Sequence, residues 1–384
     1  MTSTYNTLNE LSLPRLSRGD AVITTFDKPL LGTTLILIAF GLMFVYSASA
    51  SQALAETGFS FAMLLKQCIA AVIGFAAMMA TSRIHFSVWR RIVLPATGIA
   101  VAMLLYTMLF GATANGAERW IMLPFGFQFQ PSEVAKVVSI FLLAQAASER
   151  KWYKPGFWFN IFLVGVMIIL IHQQPNLSVA MILGIVTVVM LYVGGLNLSL
   201  FALTLPAIGY EVWKKVMETP YQKARIEGWL HPWDHPLESG YNLIQSYFAI
   251  GSGGVFGVGL GRSIQKLYYL PFQHTDFIFS VICEELGFTG ALILIGLFAH
   301  LGYRGFRIAL NCPDSYGQML AFGLTLTLML QALINMCVTT GLMPVTGVTL
   351  PLISYGGTSV IITLCMIGML LNISRHQRPA QLPG

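Results

Sequence analysis

The sequence predicts an all-α polytopic membrane protein of about ten transmembrane helices, with one large extracytoplasmic loop between helices 7 and 8. Three observations carry that expectation. Of 384 residues, 55% are apolar and only 10% charged, with mean hydropathy +0.70, whereas a soluble domain carries roughly 25% charged residues to cover its surface. Apolar runs long enough to cross about 30 Å of hydrocarbon recur along the whole chain. Lys and Arg are distributed one-sidedly among the short segments between those runs.

Residues 1–28 form a polar leader, too long and too mixed in charge for a signal-peptide n-region, so the first run (29–50) reads as a retained helix. Further runs follow at 61–81, 92–112, 131–148, 157–173, 177–194, 199–213, 277–300, 317–341 and 355–373. Short polar breaks, HQQPN at 172–176 and GGLN at 194–197, separate the fifth, sixth and seventh. With the N-terminus inside, the cytoplasmic segments hold Arg15, Arg18 and Lys28, then Arg83, Arg90 and Arg91, then Arg150, Lys151 and Lys154, then Arg304 and Arg307, then Arg375 and Arg378. The short outer loops hold Arg119. This bias puts both termini in the cytoplasm. The organisation is a cytoplasmic tail (1–28), a single transmembrane unit (29–375) with its outer loop at 214–276, and a cytoplasmic tail (376–384). The outer loop has too few residues to bury a core of its own, and it is expected to lie on the membrane through amphipathic helices such as 214–227. No internal repeat of the inverted-transporter kind is visible.

Several function classes recede. The net charge of +6 is scattered among loops rather than gathered with aromatics, which fits loop anchoring and not nucleic acid. The five cysteines form no CxxC pair, so neither a metal site nor a disulfide framework is expected. His231 and His235 stand four apart, but Pro232 interrupts them and no third ligand is evident. Glycines 251, 253, 254, 257, 259 and 261 do not match GxGxxG; close backbone packing or turns with positive φ account for them.

The unusual residues gather in three outer loops. GAERWIMLPFGFQFQPSEVAK (116–136) offers Arg119 and Trp120 as interfacial anchors, and Pro131 as the first turn of a helix that carries Lys136 one turn in. Lys136 is either a snorkelling lysine or a cation facing the bundle to meet a lipid phosphate. In the long loop, Arg262 and Lys266 either present two cations to a phosphate or form a solvated pair. GLMPVTGVTLPLISYGGTS (341–359) is irregular backbone beside the membrane, tolerated only against protein or a water-filled cavity, and Ser354 is its candidate substrate contact. The stretch LPFQHTDFIFSVICEELG (270–287) ends the long loop. A helix starting near Thr275 would place Asp276, Ser280 and Glu284 on one polar stripe about 12 Å long, with Glu285 about 100° away. Glu284 and Glu285 are either substrate-facing or paired and capping within the bundle. Asp276, beside His274 at the mouth, suits a general base.

At these residues the chain resembles the SEDS proteins, the FtsW/RodA/SpoVE group of bacterial cell-wall polymerases. ERWI…FQPSEVAK, SGYNLIQSYFAIGSGGVFGVGLG, LP–HTDFIFSVICEELGFTG and MPVTGVTLPLISYGGTS match that group's patterns in order, over nearly the whole chain. SIQKLYYLP (263–271) and LLNISRH (370–376) look more like the division-type FtsW branch or its sporulation relative than like RodA. The resemblance implies a peptidoglycan glycosyltransferase of ten helices in the cytoplasmic (inner) membrane. It would polymerise lipid II, a disaccharide-pentapeptide on undecaprenyl pyrophosphate, outside that membrane, alongside a class B penicillin-binding transpeptidase and other division proteins. It maps the family's essential acid onto Asp276, its important tryptophan onto Trp120 and its QPSExxK cation onto Lys136. A divalent cation is optional, since no ligand cluster is readable. Two departures stand out: Pro175–Asn176 where the family often has Pro-Asp, and Pro271–Phe272 where it usually has Pro-Glu. Two other readings remain: a lipid II translocase using the polar stripe, and a scaffold for the division machinery.

Overall fold

The computed structural model describes residues 26–377, except 115–116, 124–126, 150–151, 175, 198–208, 210–212, 215–216 and 268. Its elements in order are α1 (Lys28–Thr57), α2 (Ala62–Arg83) and α3 (Ser87–Phe110), then β1 (Ala112–Ala114), β2 (Ala117–Leu123) and β3 (Phe127–Phe129). There follow α4 (Pro131–Glu149), α5 (Pro155–Gln173), α6 (Leu177–Val193), α7 (Pro220–Leu230), α8 (Tyr241–Gly253), α9 (Ile278–Asn311), α10 (Ser315–Thr339) and α11 (Gly357–Ser374). Among the described residues seven helices (α1, α2, α3, α5, α9, α10 and α11) are long and apolar enough to cross a membrane, and α6 is a shorter apolar helix. The expected helix at 199–213 falls almost wholly outside the described residues.

Burial separates the helices into centre and rim. α4 is buried along nearly its whole length, whereas α2, α3 and α5 keep large apolar side chains such as Val72, Leu109 and Phe162 exposed. Lipid-like surroundings suit that rim, because apolar surface gains nothing by hiding from hydrocarbon. Contact between helices then relies on small residues. At the α2–α11 crossing, Gly368 lies so near Met78 that an added Cβ would sit 2.4 Å from its carbonyl oxygen.

Three sequence expectations change here. The first helix runs on past Ala50 to Thr57, stopped by Gly58 at φ 71, and α9 runs eleven residues past 300 because Arg304 is not in a loop. Instead, Arg304 Nη2 lies 2.5 Å from Asp27 Oδ2, while Asp27 Oδ1 caps α1 through Leu30 N at 2.9 Å. The segment between α3 and α4 is not plain loop but a three-stranded antiparallel sheet, ordered β1-β2-β3. The single amphipathic helix expected over 214–227 is interrupted at Thr219, whose backbone is extended, and α7 begins only at Pro220.

The glycine-rich segment 253–261 has a structural job. α9 breaks at Gly287 (φ 67, ψ −163), which strands backbone groups on both sides of the break. Val258 N and Gly259 N donate to the carbonyls of Glu284 and Glu285 at 3.0 and 3.1 Å, and Phe288 N and Thr289 N donate to Gly254 O and Val255 O at 2.9 and 3.1 Å. Buried backbone polar groups must be paired, and only glycine allows so close an approach: a Cβ on Gly287 would sit 2.4 Å from Gly257 N.

Gly287→Ala is therefore expected to cost at least the roughly 1–3 kcal/mol of a strained φ, seen as a large fall in the melting temperature of the purified protein in detergent. Gly296→Ala, on the same helix with nothing within 4 Å of its Cβ position, should be neutral or slightly stabilising.

Candidate active site

Asp276 is delivered by backbone held from outside its own segment. Residues 271–277 form turns, with Thr275 N and Phe277 N both donating to Phe272 O (3.0 and 3.3 Å) and Phe272 itself at φ 56. Three successive carbonyls are then caught by donors from α10 and the 341–356 segment. Tyr355 N donates to His274 O at 2.8 Å, Ser354 Oγ to Thr275 O at 2.5 Å, and Asn335 Nδ2 to Asp276 O at 2.8 Å. Asn335 Nδ2 also reaches Val348 O at 2.7 Å, so one buried amide ties the two irregular segments together. Opposite the carboxylate stands Gly347, whose Cβ position is 3.4 Å from Asp276 Oδ2.

Asp276 lines a cavity of about 810 Å³. Its walls come from 270–277, 345–349, the start of α11, Lys66 and Gln67 of α2, Glu133 and Lys136 of α4, Trp120 of β2, and Arg225 of α7. Gln67 Nε2 donates to Ser354 O at 3.1 Å and its Oε1 accepts from Gly356 N at 3.2 Å. The sheet closes another side, with Thr358 Oγ1 donating to Gln128 O at 2.8 Å.

Lys136 is in this wall but already engaged. Its Nζ lies 2.9 Å from Glu133 Oε1 and donates to Gln331 Oε1 at 2.8 Å, and all three residues are buried. His274 also lines the cavity, yet burial pushes its imidazole down to about 4, against an opposing pull from Glu56. At neutral pH it is uncharged and offers no cation to a phosphate. Its ring meets Tyr355 edge-on with centroids 5.6 Å apart.

Other sequence candidates lie elsewhere. The stripe Asp276–Ser280–Glu284 does not form, because the helix begins at Ile278 rather than Thr275. Ser280 Oγ instead meets Ser246 Oγ of α8 at 2.6 Å. Glu284 takes Ser263 Oγ and Ile264 N at 2.8 Å, capping the long loop. Glu285 pairs with Lys266 Nζ at 2.8 Å, and Lys266 also reaches Ser47 Oγ at 3.0 Å. Of the two readings for these carboxylates and for Lys266, the geometry is that of internal pairing. Ser354 spends its hydroxyl on Thr275 O and Leu350 N, and exposed Arg262 is outside the cavity wall. The Arg119 side chain lies outside the described residues. Among the described residues no three His, Cys, Asp or Glu side chains gather as a metal-binding group. Lys66, Gln67, Gln331 and Asn335 are site residues that sequence reasoning did not single out.

The family model for FtsW, RodA and SpoVE, described as a cell cycle protein, matches residues 28–379. The chain belongs to that family. It is 40% identical to a probable peptidoglycan glycosyltransferase FtsW of Geobacter sp. (strain M18), over 92% of this chain and 98% of that one. It is 39% identical to stage V sporulation protein E of Bacillus subtilis (strain 168), over 92% and 98%. Among solved structures, a chain from a peptidoglycan synthase complex that coordinates polymerization and crosslinking superposes with TM-score 0.76 at 31% identity, covering 92% of this chain and 98% of that chain. The rod shape determining protein RodA of Thermus thermophilus superposes at 0.69 with 27% identity, covering 92% and 98%. The architecture is thus that of the FtsW/RodA/SpoVE fold.

Two outcomes test this geometry. Lys136→Met leaves Glu133 as an unpaired buried carboxylate and should cost about 3–5 kcal/mol. Adding Glu133→Gln should recover much of that loss in chemical or thermal unfolding. For His274, the unfolded chain protonates near 6.5 while the folded chain resists until about 4. Stability is therefore complete above 6.5 and falls as pH drops through that window. His274→Gln should flatten the melting-temperature profile there.

Proposed function

We propose that this chain is a peptidoglycan glycosyltransferase that polymerises lipid II during bacterial cell division, with Asp276 as general base. The observation that carries the reading is Asp276 itself: a carboxylate on clamped backbone, in the wall of an 810 Å³ cavity of the size ligand sites have. The 40% identity to a probable peptidoglycan glycosyltransferase FtsW supports the reaction class. In membrane terms the proposal is ten spans, with 199–213 as the seventh and both termini in the cytoplasm. The loop 214–276 and the cavity mouth then face outward from the bacterial inner membrane.

The chemistry follows from what the acceptor lacks. A sugar 4-hydroxyl is a poor nucleophile at neutral pH. Asp276 accepts its proton as the oxygen attacks the donor's anomeric carbon, and the carbon–oxygen bond to pyrophosphate breaks on the opposite face, inverting the centre. The leaving group departs with the electron pair, so its growing charge must meet cations. A fixed base contributes roughly 10²–10⁴-fold, and its carbonyl clamp supplies the positioning that such a step needs. Similarity to a chain of a synthase complex that joins polymerization to crosslinking supports a class B penicillin-binding transpeptidase as partner, with other division proteins around it.

Wild-type protein in vesicles with lipid II should make glycan strands. Asp276→Asn should slow this at least about 100-fold while melting normally. Substantial polymer from that variant would remove Asp276 as base. Labelled lipid II that changes leaflet without polymerising would move the reading to a translocase.

A further inference from the structure

We infer that Lys66 binds the diphosphate of the lipid-linked substrate, an inference that rests on the polymerase reading and deepens it. Lys136, the expected candidate, has its charge held by Glu133 at 2.9 Å and a second donor used by Gln331. A phosphate approaching it would also approach that carboxylate. Lys266 is likewise consumed by Glu285 and Ser47 away from the cavity, and His274 is neutral.

Lys66 differs on each count. It lines the cavity, is only half-buried, and has no acceptor within bonding distance among the described residues. Its neighbour Gln67 is anchored to Ser354 O and Gly356 N, which sets Lys66 beside the start of α11. No side chain caps that helix at Gly356, and Gly356, Gly357, Thr358 and Ser359 all line the cavity. The positive end of an eighteen-residue helix therefore faces the same space as the free ammonium, a favourable pairing for an anion. Position along α2 adds a reason specific to a lipid substrate. Leu65, Ile69, Val72 and Ile73 are exposed on the rim of the bundle, while Gln67 and Ala70 are buried. Lys66 stands where that rim meets the polar cavity, in the second turn of the helix. A polyprenyl diphosphate whose tail stays in lipid and whose sugars enter the cavity must cross at this boundary.

The test uses the full chain in phosphatidylcholine nanodiscs and measures affinity for undecaprenyl diphosphate, which has the anion and tail but no sugar. Lys66→Met should weaken binding about ten-fold, the loss of one charge-assisted contact. Lys66→Arg should stay within about three-fold, and Gly296→Ala, remote from the cavity wall, should bind normally. If Lys66→Met melts early, Lys66→Gln serves the same purpose. Undiminished binding by Lys66→Met overturns the inference. So does equal displacement of the ligand by phosphatidylglycerol, which would mark a general headgroup contact. Wild type that binds the diphosphate yet makes no polymer would overturn the polymerase reading while leaving the inference standing.

Discussion

Three carbonyls in a row, those of His274, Thr275 and Asp276, are held by donors from Tyr355, Ser354 and Asn335, and the site depends on this clamp. Neither participating segment is helical, and both lie among apolar helices, where an unpaired backbone group costs several kcal/mol. Each segment is tolerable only because the other satisfies it. Gln331 extends the principle by donating to Thr349 O at 3.0 Å, and Gln67 extends it at Ser354 and Gly356. Three buried polar side chains on two helices, Asn335 and Gln331 of α10 and Gln67 of α2, thus join Ser354 in fixing irregular backbone in one arrangement, and the Asp276 carboxylate is set by that arrangement.

The same economy governs charge. Buried ionic groups are costly unless paired, and Lys136 with Glu133 and Lys266 with Glu285 are both paired, as is the partly buried Arg304 with Asp27. Two of these pairs join structural parts, the long loop to α9 and the cap of α1 to α9, whereas Lys136 and Glu133 lie one turn apart at the start of α4. Such pairs gain little net stability over apolar packing, but they penalise any arrangement that separates them. Pairing separates Lys136 from Lys66, although both lie in apolar runs.

Hydropathy made the helices legible because lipid-spanning segments need length and apolarity and little else, and the segments from Pro131 and Leu177 appear where periods and caps place them. Helix ends were less legible. Arg304 reads as a loop cation until Asp27, 277 positions away, is known to meet it. The strands were missed although Asn115–Gly116 is a hairpin dipeptide, since an apolar background drowns the alternation that marks a strand. At the site, residue types and loops were legible, but partners were not. Glu284 looked like a companion of Asp276 on helical spacing, and the break in register at Phe272–Phe277 sends it to Ile264 instead. Lys66 carried a signal that went unused: an ionisable residue inside an apolar run is a functional candidate by default.

The proposed substrate, with a polar head and a membrane-bound tail, imposes a geometric demand that this arrangement would meet. The reacting sugar must reach a fixed base in water, while the tail cannot leave lipid without losing about 0.8 kcal/mol per CH₂. A cavity enclosed on all sides would force that loss. Here the wall that carries Lys66 belongs to α2, whose adjacent face is open and apolar, whereas the wall that carries Asp276 is built from segments locked to α10. The rigid side holds the group that must be positioned to within fractions of an ångström. The lipid-facing side holds a flexible ammonium, which tolerates a phosphate arriving over a range of positions. On the proposed reading, diphosphate binding would rest on α2 and proton transfer on the turn segment locked to α10, so that the spent polyprenyl diphosphate could withdraw sideways while the base and its clamp stay in place.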